Sequence, residues 1–181
     1  MQGPKEVKRN IVLTGFMATG KTSVGRSLAA RLAYSFVDLD TWIEAEAGMT
    51  IPQIFATQGE VAFRELEARM VERASGLSGC VIATGGGAIV NPQNLEALKG
   101  SGILIALTAH PEVILLRIGG GEDRPMLRGG QTQDRVRVLL QERAPAYAQA
   151  DLTVDTSARA VDEVVGQLVE LLARRGVSAV K

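Results

Sequence analysis

Eight residues near the start of the chain carry the clearest chemistry. Gly15-Phe16-Met17-Ala18-Thr19-Gly20-Lys21-Thr22 places two glycines five apart, followed at once by lysine and threonine. Glycines let a backbone curl until its N–H groups point inward at an anion. A helix N-terminus just beyond adds partial positive charge. Lys21 can then reach β- and γ-phosphates, and the Thr22 hydroxyl can ligate Mg²⁺. Gly15, Met17, Ala18, Thr19, Gly20, Lys21, Thr22 and Ser23 are therefore the candidate ATP contacts. The flanks suit this reading. Asn10 to Thr14 is a short apolar run expected as a buried strand, and Val24, Leu28 and Leu32 recur every four residues, as on one helix face.

Two carboxylates follow. Asp38 and Asp40 lie two apart at the end of a second expected strand, Ser35 to Asp38, and period two would put them on one side. Magnesium in kinase sites takes one or two carboxylates besides phosphate and water. Asp38 could hold the ion through its water shell, while Asp40 accepts a hydroxyl proton. Asp40 could equally cap the helix that starts there.

Arginines and glycines complete the candidates. Arg64 lies among Glu60, Glu65 and Glu67. Alone it reads as an exposed helix salt bridge, but an anionic substrate would need such a planar, permanently charged fork. Gly85-Gly86-Gly87 after a strand reads either as a turn or as backbone approaching a ligand closely. Arg124 and Arg128 lie between Gly119-Gly120-Gly121 and Gly129-Gly130. That pattern suggests a lid over about residues 119–130, closing to bring Arg124 onto a transferring phosphoryl group. Arg117 could stack on a purine or favour its own helix C-terminus. Arg143 stands beside Glu142 and says nothing alone.

The chain's 181 residues, 46% of them apolar, suffice for one domain and its core. Twenty basic residues balance twenty acidic ones, which argues against general nucleic-acid binding. No apolar run approaches membrane-spanning length, and Met1 to Asn10 is polar and basic, unlike a secretory signal and expected to fray. Cys80 is the only cysteine, so no internal disulfide can form and a reducing cytoplasm is the expected home. Its neighbours Val81 and Ile82 mark it as a buried packing thiol. With one histidine, His110, a His/Cys zinc site lacks ligands. No coiled coil or long apolar stripe asks for a partner, so a monomer is expected.

Strands at 10–14, 35–38, 80–84, 102–108 and 152–154 alternate with helices at about 40–47, 59–74, 91–99, 111–118, 131–147 and 160–174. Thr50, Pro52 and Gln53 signal a further helix start. Short, uniformly apolar strands alternating with helices predict an α/β fold with a parallel sheet covered on both faces. Ligands bind at the carboxyl ends of such strands. The phosphate loop, the aspartate pair, the glycine triplet and Asp155-Thr156 would then share one rim.

Taken in order, these motifs resemble the shikimate kinase family from Ile11 to about Leu172. The resemblance rests on the phosphate loop, Asp38-Leu39-Asp40, Gly59-Glu60 with Phe63-Arg64 and Glu67, and Ala83-Thr84-Gly85-Gly86-Gly87. It continues through Arg124-Pro125-Met126-Leu127 and Arg143-Ala144-Pro145-Ala146-Tyr147. It implies ATP-dependent phosphorylation of the shikimate 3-hydroxyl in aromatic amino-acid biosynthesis, with one Mg²⁺ bound with ATP. The implied fold is the three-layer P-loop kinase fold, with a five-stranded parallel sheet in order 2-3-1-4-5, a substrate-binding helical region over about 40–75, and a lid. By the same resemblance Lys21, Asp40 and Arg124 would be catalytic, and Thr22 and Asp38 would hold the metal. Asp40, Arg64, Gly85, Gly86, Gly87 and Arg143 would bind shikimate. Arg117 would stack on adenine, and the segment around Asp155-Thr156-Ser157, with Arg159, would form the adenine loop. Ala18 departs from the family's usual glycine and could reshape the loop unless its φ is negative.

Overall fold

The computed structural model describes residues 8–119 and 132–177. At its centre lie five parallel strands: β1 Asn10–Thr14, β2 Ser35–Asp38, β3 Cys80–Ala83, β4 Gly102–Thr108 and β5 Leu152–Asp155. They stand in the order β2-β3-β1-β4-β5, as expected. The helices are α1 Lys21–Leu32, α2 Leu39–Ala47, α3 Ile51–Thr57, α4 Gly59–Ser75, α5 Pro92–Ser101, α6 Pro111–Ile118, α7 Thr132–Tyr147 and α8 Val161–Ala173.

The strands are apolar throughout because both faces are covered. Ile11 and Leu13 of β1, with Ile103, Ile105 and Leu107 of β4, pack in one core with Leu28 and Leu32 of α1 and Val165 and Leu168 of α8. The intervening residues Val12, Leu104 and Ala106 belong to the opposite core, with Ile43, Ile54, Leu66, Leu98 and Leu139 from helices α2, α3, α4, α5 and α7. Period two thus feeds two separate hydrophobic layers from the same strands. Register aligns the strand ends: Leu13 pairs with Ala83, Thr14 with Ala106, and Thr108 with Asp155. The loops that follow β1, β2, β3 and β5 therefore leave from one rim.

Local signals act as the sequence indicates. The Gln53 N–H donates to Thr50 Oγ1 and the Thr50 N–H to Gln53 Oε1, a full capping box for α3. Asn91 caps α5 by accepting from the Gln93 N–H at 2.9 Å. Cys80 is buried. Two features depart from expectation. Ala88–Val90 forms a 3₁₀ turn, too short for any periodicity to reveal. The expected fraying of the first ten residues fails at Arg9 and Asn10. Arg9 donates to the Gly102 carbonyl at 3.1 Å, and the fully buried Asn10 amide donates to Leu77 O and accepts from the Cys80 N–H. Residues 1–7 lie outside the described residues, as does nearly all of the expected lid.

Helix α1 ends on Ala33, which adopts the left-handed conformation with φ 51°. The Tyr34 N–H reaches back to Ala29 O at 2.9 Å and the Ala33 N–H to Ala30 O at 3.3 Å, the bond pair of a Schellman cap, where glycine is favoured. Ala33→Gly should relieve a left-handed penalty of about 1–2 kcal/mol while adding some unfolded-state entropy, for a net gain of about 1 kcal/mol. A higher urea midpoint at unchanged m-value is the expected result; an unchanged midpoint would contradict it.

Candidate active site

Two cavities meet on the rim. One, of about 250 Å³, lies over the phosphate loop and touches Met17, Ala18, Gly20, Lys21, Thr22 and Ser23. The other, of about 440 Å³, runs between α2, α3, α4 and the loop after β3. They share Met17, Thr22, Asp38, Asp40 and Gly86. A phosphate donor in the first and an acceptor in the second would face each other across the two aspartates.

The phosphate loop is held from within. Lys21 Nζ spans the loop and donates to the Gly15 and Phe16 carbonyls, each at 2.8 Å. Thr19 is buried, its hydroxyl turned inward to Phe16 O at 2.8 Å; its side chain shapes the loop and lines neither cavity. Gly15 has φ 137°, and a Cβ there would lie 2.1 Å from Leu107 O, so no other residue fits. Ala18 does not escape the difficulty raised by its identity. Its φ is 61°, left-handed, at a cost of about 1–2 kcal/mol for a residue with a Cβ. Its carbonyl accepts from Arg117 Nη1 at 3.2 Å. Arg117 also donates to the Thr156 hydroxyl and carbonyl, and the Thr156 hydroxyl in turn lies 3.1 Å from Thr19 O. Arg117 thus straps the loop to the segment after β5 rather than serving its own helix end. In that segment Asp155 accepts from the Ser157 hydroxyl and N–H, which holds its carboxyl below the usual range. Arg159 is exposed, donates to Gln167 of α8, and lines neither cavity.

The aspartate pair converges by helix capping rather than by strand period. Asp38 ends β2 and is itself the N-cap of α2, accepting from the Asp40 N–H at 3.1 Å. Asp40 sits in the first turn, so the capping role considered for it falls to its neighbour. The other Asp38 oxygen accepts from the Thr22 hydroxyl at 2.9 Å. Thr22 and Asp38 thus present two hard oxygen donors together beside the phosphate loop, the donor chemistry that Mg²⁺ takes. Burial, then the charge of Asp38, lifts Asp40 to about 6, although Lys21 pulls it down.

At the far end, α4 and α7 bring two arginines to the glycine triplet. Arg64 is one-third exposed and paired with Glu60 at 3.2 Å and Glu67 at 2.7 Å. The exposed-salt-bridge reading fits only Glu60, because Glu67 is 2% exposed. Burial raises Glu67 above its ordinary value, against the pull of Arg64 and Arg143. Arg143 is 6% exposed and lies over the Phe16 ring, a burial its sequence position beside Glu142 gave no reason to expect. The triplet is glycine for space. A Cβ on Gly85 would come within 2.8 Å of Glu67 Oε1, and one on Gly87 within 3.0 Å of Arg64 Nη1. Glu67 belongs to this site but was not among the sequence candidates; its spacing three residues from Arg64 was the available signal. Arg124 lies outside the described residues.

A parallel sheet in this order, with a glycine loop and lysine after its central strand, defines a P-loop kinase fold. A family model for shikimate kinase matches residues 17–173. A shikimate kinase from Thermoanaerobacter pseudethanolicus is 45% identical over 92% of this chain and 97% of its own. A shikimate kinase structure from Acinetobacter baumannii, in complex with shikimate, superposes with TM-score 0.90 at 37% identity over 94% of this chain and 96% of that one. The chain belongs to the shikimate kinase family. A gluconokinase from Sinorhizobium meliloti, at TM-score 0.60 and 19% identity, shares the fold alone.

The charge of Glu67, across the pocket, also lifts Asp40. Glu67→Gln removes that charge and should move the Asp40 titration to lower pH, read from carboxyl ¹³C shifts. An unmoved midpoint would mean that the two carboxylates do not interact across the pocket.

Proposed function

We propose that the chain transfers the γ-phosphoryl group of ATP to the 3-hydroxyl of shikimate, giving shikimate 3-phosphate and ADP for aromatic amino-acid biosynthesis. The observation that carries this reading is the pairing of Arg64 and Arg143 beside a glycine triplet, at the end of a cavity whose other end opens on the phosphate loop with Asp40 between. Two planar guanidiniums suit a carboxylate. Ile51, Pro52, Phe55 and Phe63 give that cavity an apolar wall, which suits the face of a carbocyclic ring.

In this reading the phosphate loop and Lys21 bind the ATP phosphates, and Arg117 with the segment 155–159 attends to the base. Arg64 and Arg143 grip the shikimate carboxylate, and Gly85 to Gly87 let the ring lie close. Asp40 orients the 3-hydroxyl and takes its proton late, because phosphoryl transfer is loose and depends on positioning and charge. Thr22, and Asp38 through water, would hold Mg²⁺. A bound ion would supply positive charge against the negative charge that builds on the transferring phosphates. Arg124 is assigned to the transferring phosphoryl group on family resemblance. Among the described residues no helix is long and apolar enough to cross a membrane. A monomer acting on small molecules in the cytoplasm, without nucleic-acid or membrane partners, completes the proposal.

A coupled assay of ADP release tests it, with shikimate, gluconate and AMP as parallel acceptors; turnover with another acceptor alone would discard the substrate assignment. Arg64→Lys should raise the shikimate KM by about tenfold or more, since lysine loses the bidentate geometry worth about 1.5–3 kcal/mol. An unchanged KM and kcat would remove Arg64 from the carboxylate site.

Asp40 must be ionised to accept a proton, so kcat/KM should fall as pH drops through about 6. Its folded pKa lies above the unfolded value, so the folded state binds the extra proton at low pH and loses stability as pH rises through about 6. Asp40→Asn should therefore lower kcat yet melt higher than wild type at pH 8, the difference shrinking toward pH 4. A variant with wild-type turnover, or with no pH-dependent gain in melting temperature, would contradict these assignments.

A further inference from the structure

We infer that Tyr147 is a positioning residue that seats the glycine triplet of the acceptor pocket against a phosphate loop held from within; this rests on the shikimate kinase reading above. Its hydroxyl donates to the Gly86 carbonyl at 2.6 Å. The positive charge of Arg143, one helical turn earlier on α7, acts on the same phenol. The phenol therefore stands between the Arg143 guanidinium and the backbone of the glycine triplet, and donates its O–H to the latter.

Gly86 is where the triplet meets the phosphate loop. A Cβ placed on it would lie 3.2 Å from Arg143 Nη1, 3.3 Å from Gly15 O and 3.5 Å from Met17 N. A peptide that tight against two functional segments has little freedom once its carbonyl is fixed. The bond fixes it from the side of α7, far from both in sequence. Tyr147 is 9% exposed, and burial pushes its phenol up to about 12, so it remains a donor across the whole working pH range. The ring alone would serve packing; the hydroxyl serves the bond.

Tyr147→Phe separates the two. Wild type is measured first in the same assay, so failure to turn over shikimate is seen there and counts against the functional reading, not against Tyr147. With wild-type turnover established, the variant should raise the shikimate KM by about fivefold, the value of one neutral hydrogen bond. Its kcat should also fall, while the ATP KM stays within about twofold. An unchanged shikimate KM would overturn the inference, and so would a parallel rise in the ATP KM, the mark of general damage. If the phenylalanine variant does not fold, 3,5-difluorotyrosine at position 147 keeps ring and hydroxyl but acidifies the phenol. The shikimate KM of that protein should climb at alkaline pH, where a phenolate no longer donates to Gly86, and wild type should show no such climb. Matching profiles would overturn the assignment.

Discussion

The register between β1 and β3 is the constraint on which the site depends. Leu13 and Ala83 are paired, and the Thr84 N–H extends the ladder by donating to Leu13 O at 3.0 Å. The phosphate loop and the glycine triplet therefore leave the sheet at the same height. A slip of one residue would reverse every side chain on a strand buried on both faces. It would exchange Ile11 and Leu13 with Val12 between two different cores. The two hydrophobic layers thus fix the relative height of the donor and acceptor loops.

On that frame the protein assembles charges it must keep only partly solvated. Arg64, Glu67 and Arg143 form a row along the larger cavity, and Asp38, Asp40 and Lys21 a second row beside the phosphate loop. Within the rows Arg64 is paired with Glu60 and Glu67, and the charge of Lys21 acts on Asp40. Glu67 Oε1 is buried with no hydrogen-bond partner among the described residues, and Asp40 is lifted well above its ordinary value. Sites hold such groups when a ligand is to complete them. Their cost in stability is borne by the two cores.

Much of this was legible beforehand, for physical reasons. Apolar strands buried on both faces and amphipathic helices leave strong periodic signals, so the sheet, its helices and the common rim follow from pattern. The phosphate loop follows from glycine spacing. The sheet order came from family resemblance, because no local signal records which strand lies beside which. What stayed hidden depends on distant contacts. Arg143 is a site candidate through family resemblance alone, because its own neighbours give no sign of it until α7 is laid over Phe16. Glu67 looks like one of several helix carboxylates until its burial is known. The capping role passed from Asp40 to Asp38 because the helix begins at Leu39, two residues before the Thr41 start that a cap at Asp40 implies. The backbone angle at Ala18 could be read only from three dimensions.

That left-handed alanine has a consequence for how the loop's sequence can drift. Ala18 is strapped through its carbonyl to Arg117 and lies beside residues whose shape is set by inward bonds from Lys21 and Thr19. A torsional cost that is the same with the loop empty or filled cancels from the ligand's binding constant and appears only in the free energy of folding. Selection on nucleotide affinity would then be blind to the exchange of glycine for alanine at this position. Only the thermal margin of the protein would register it.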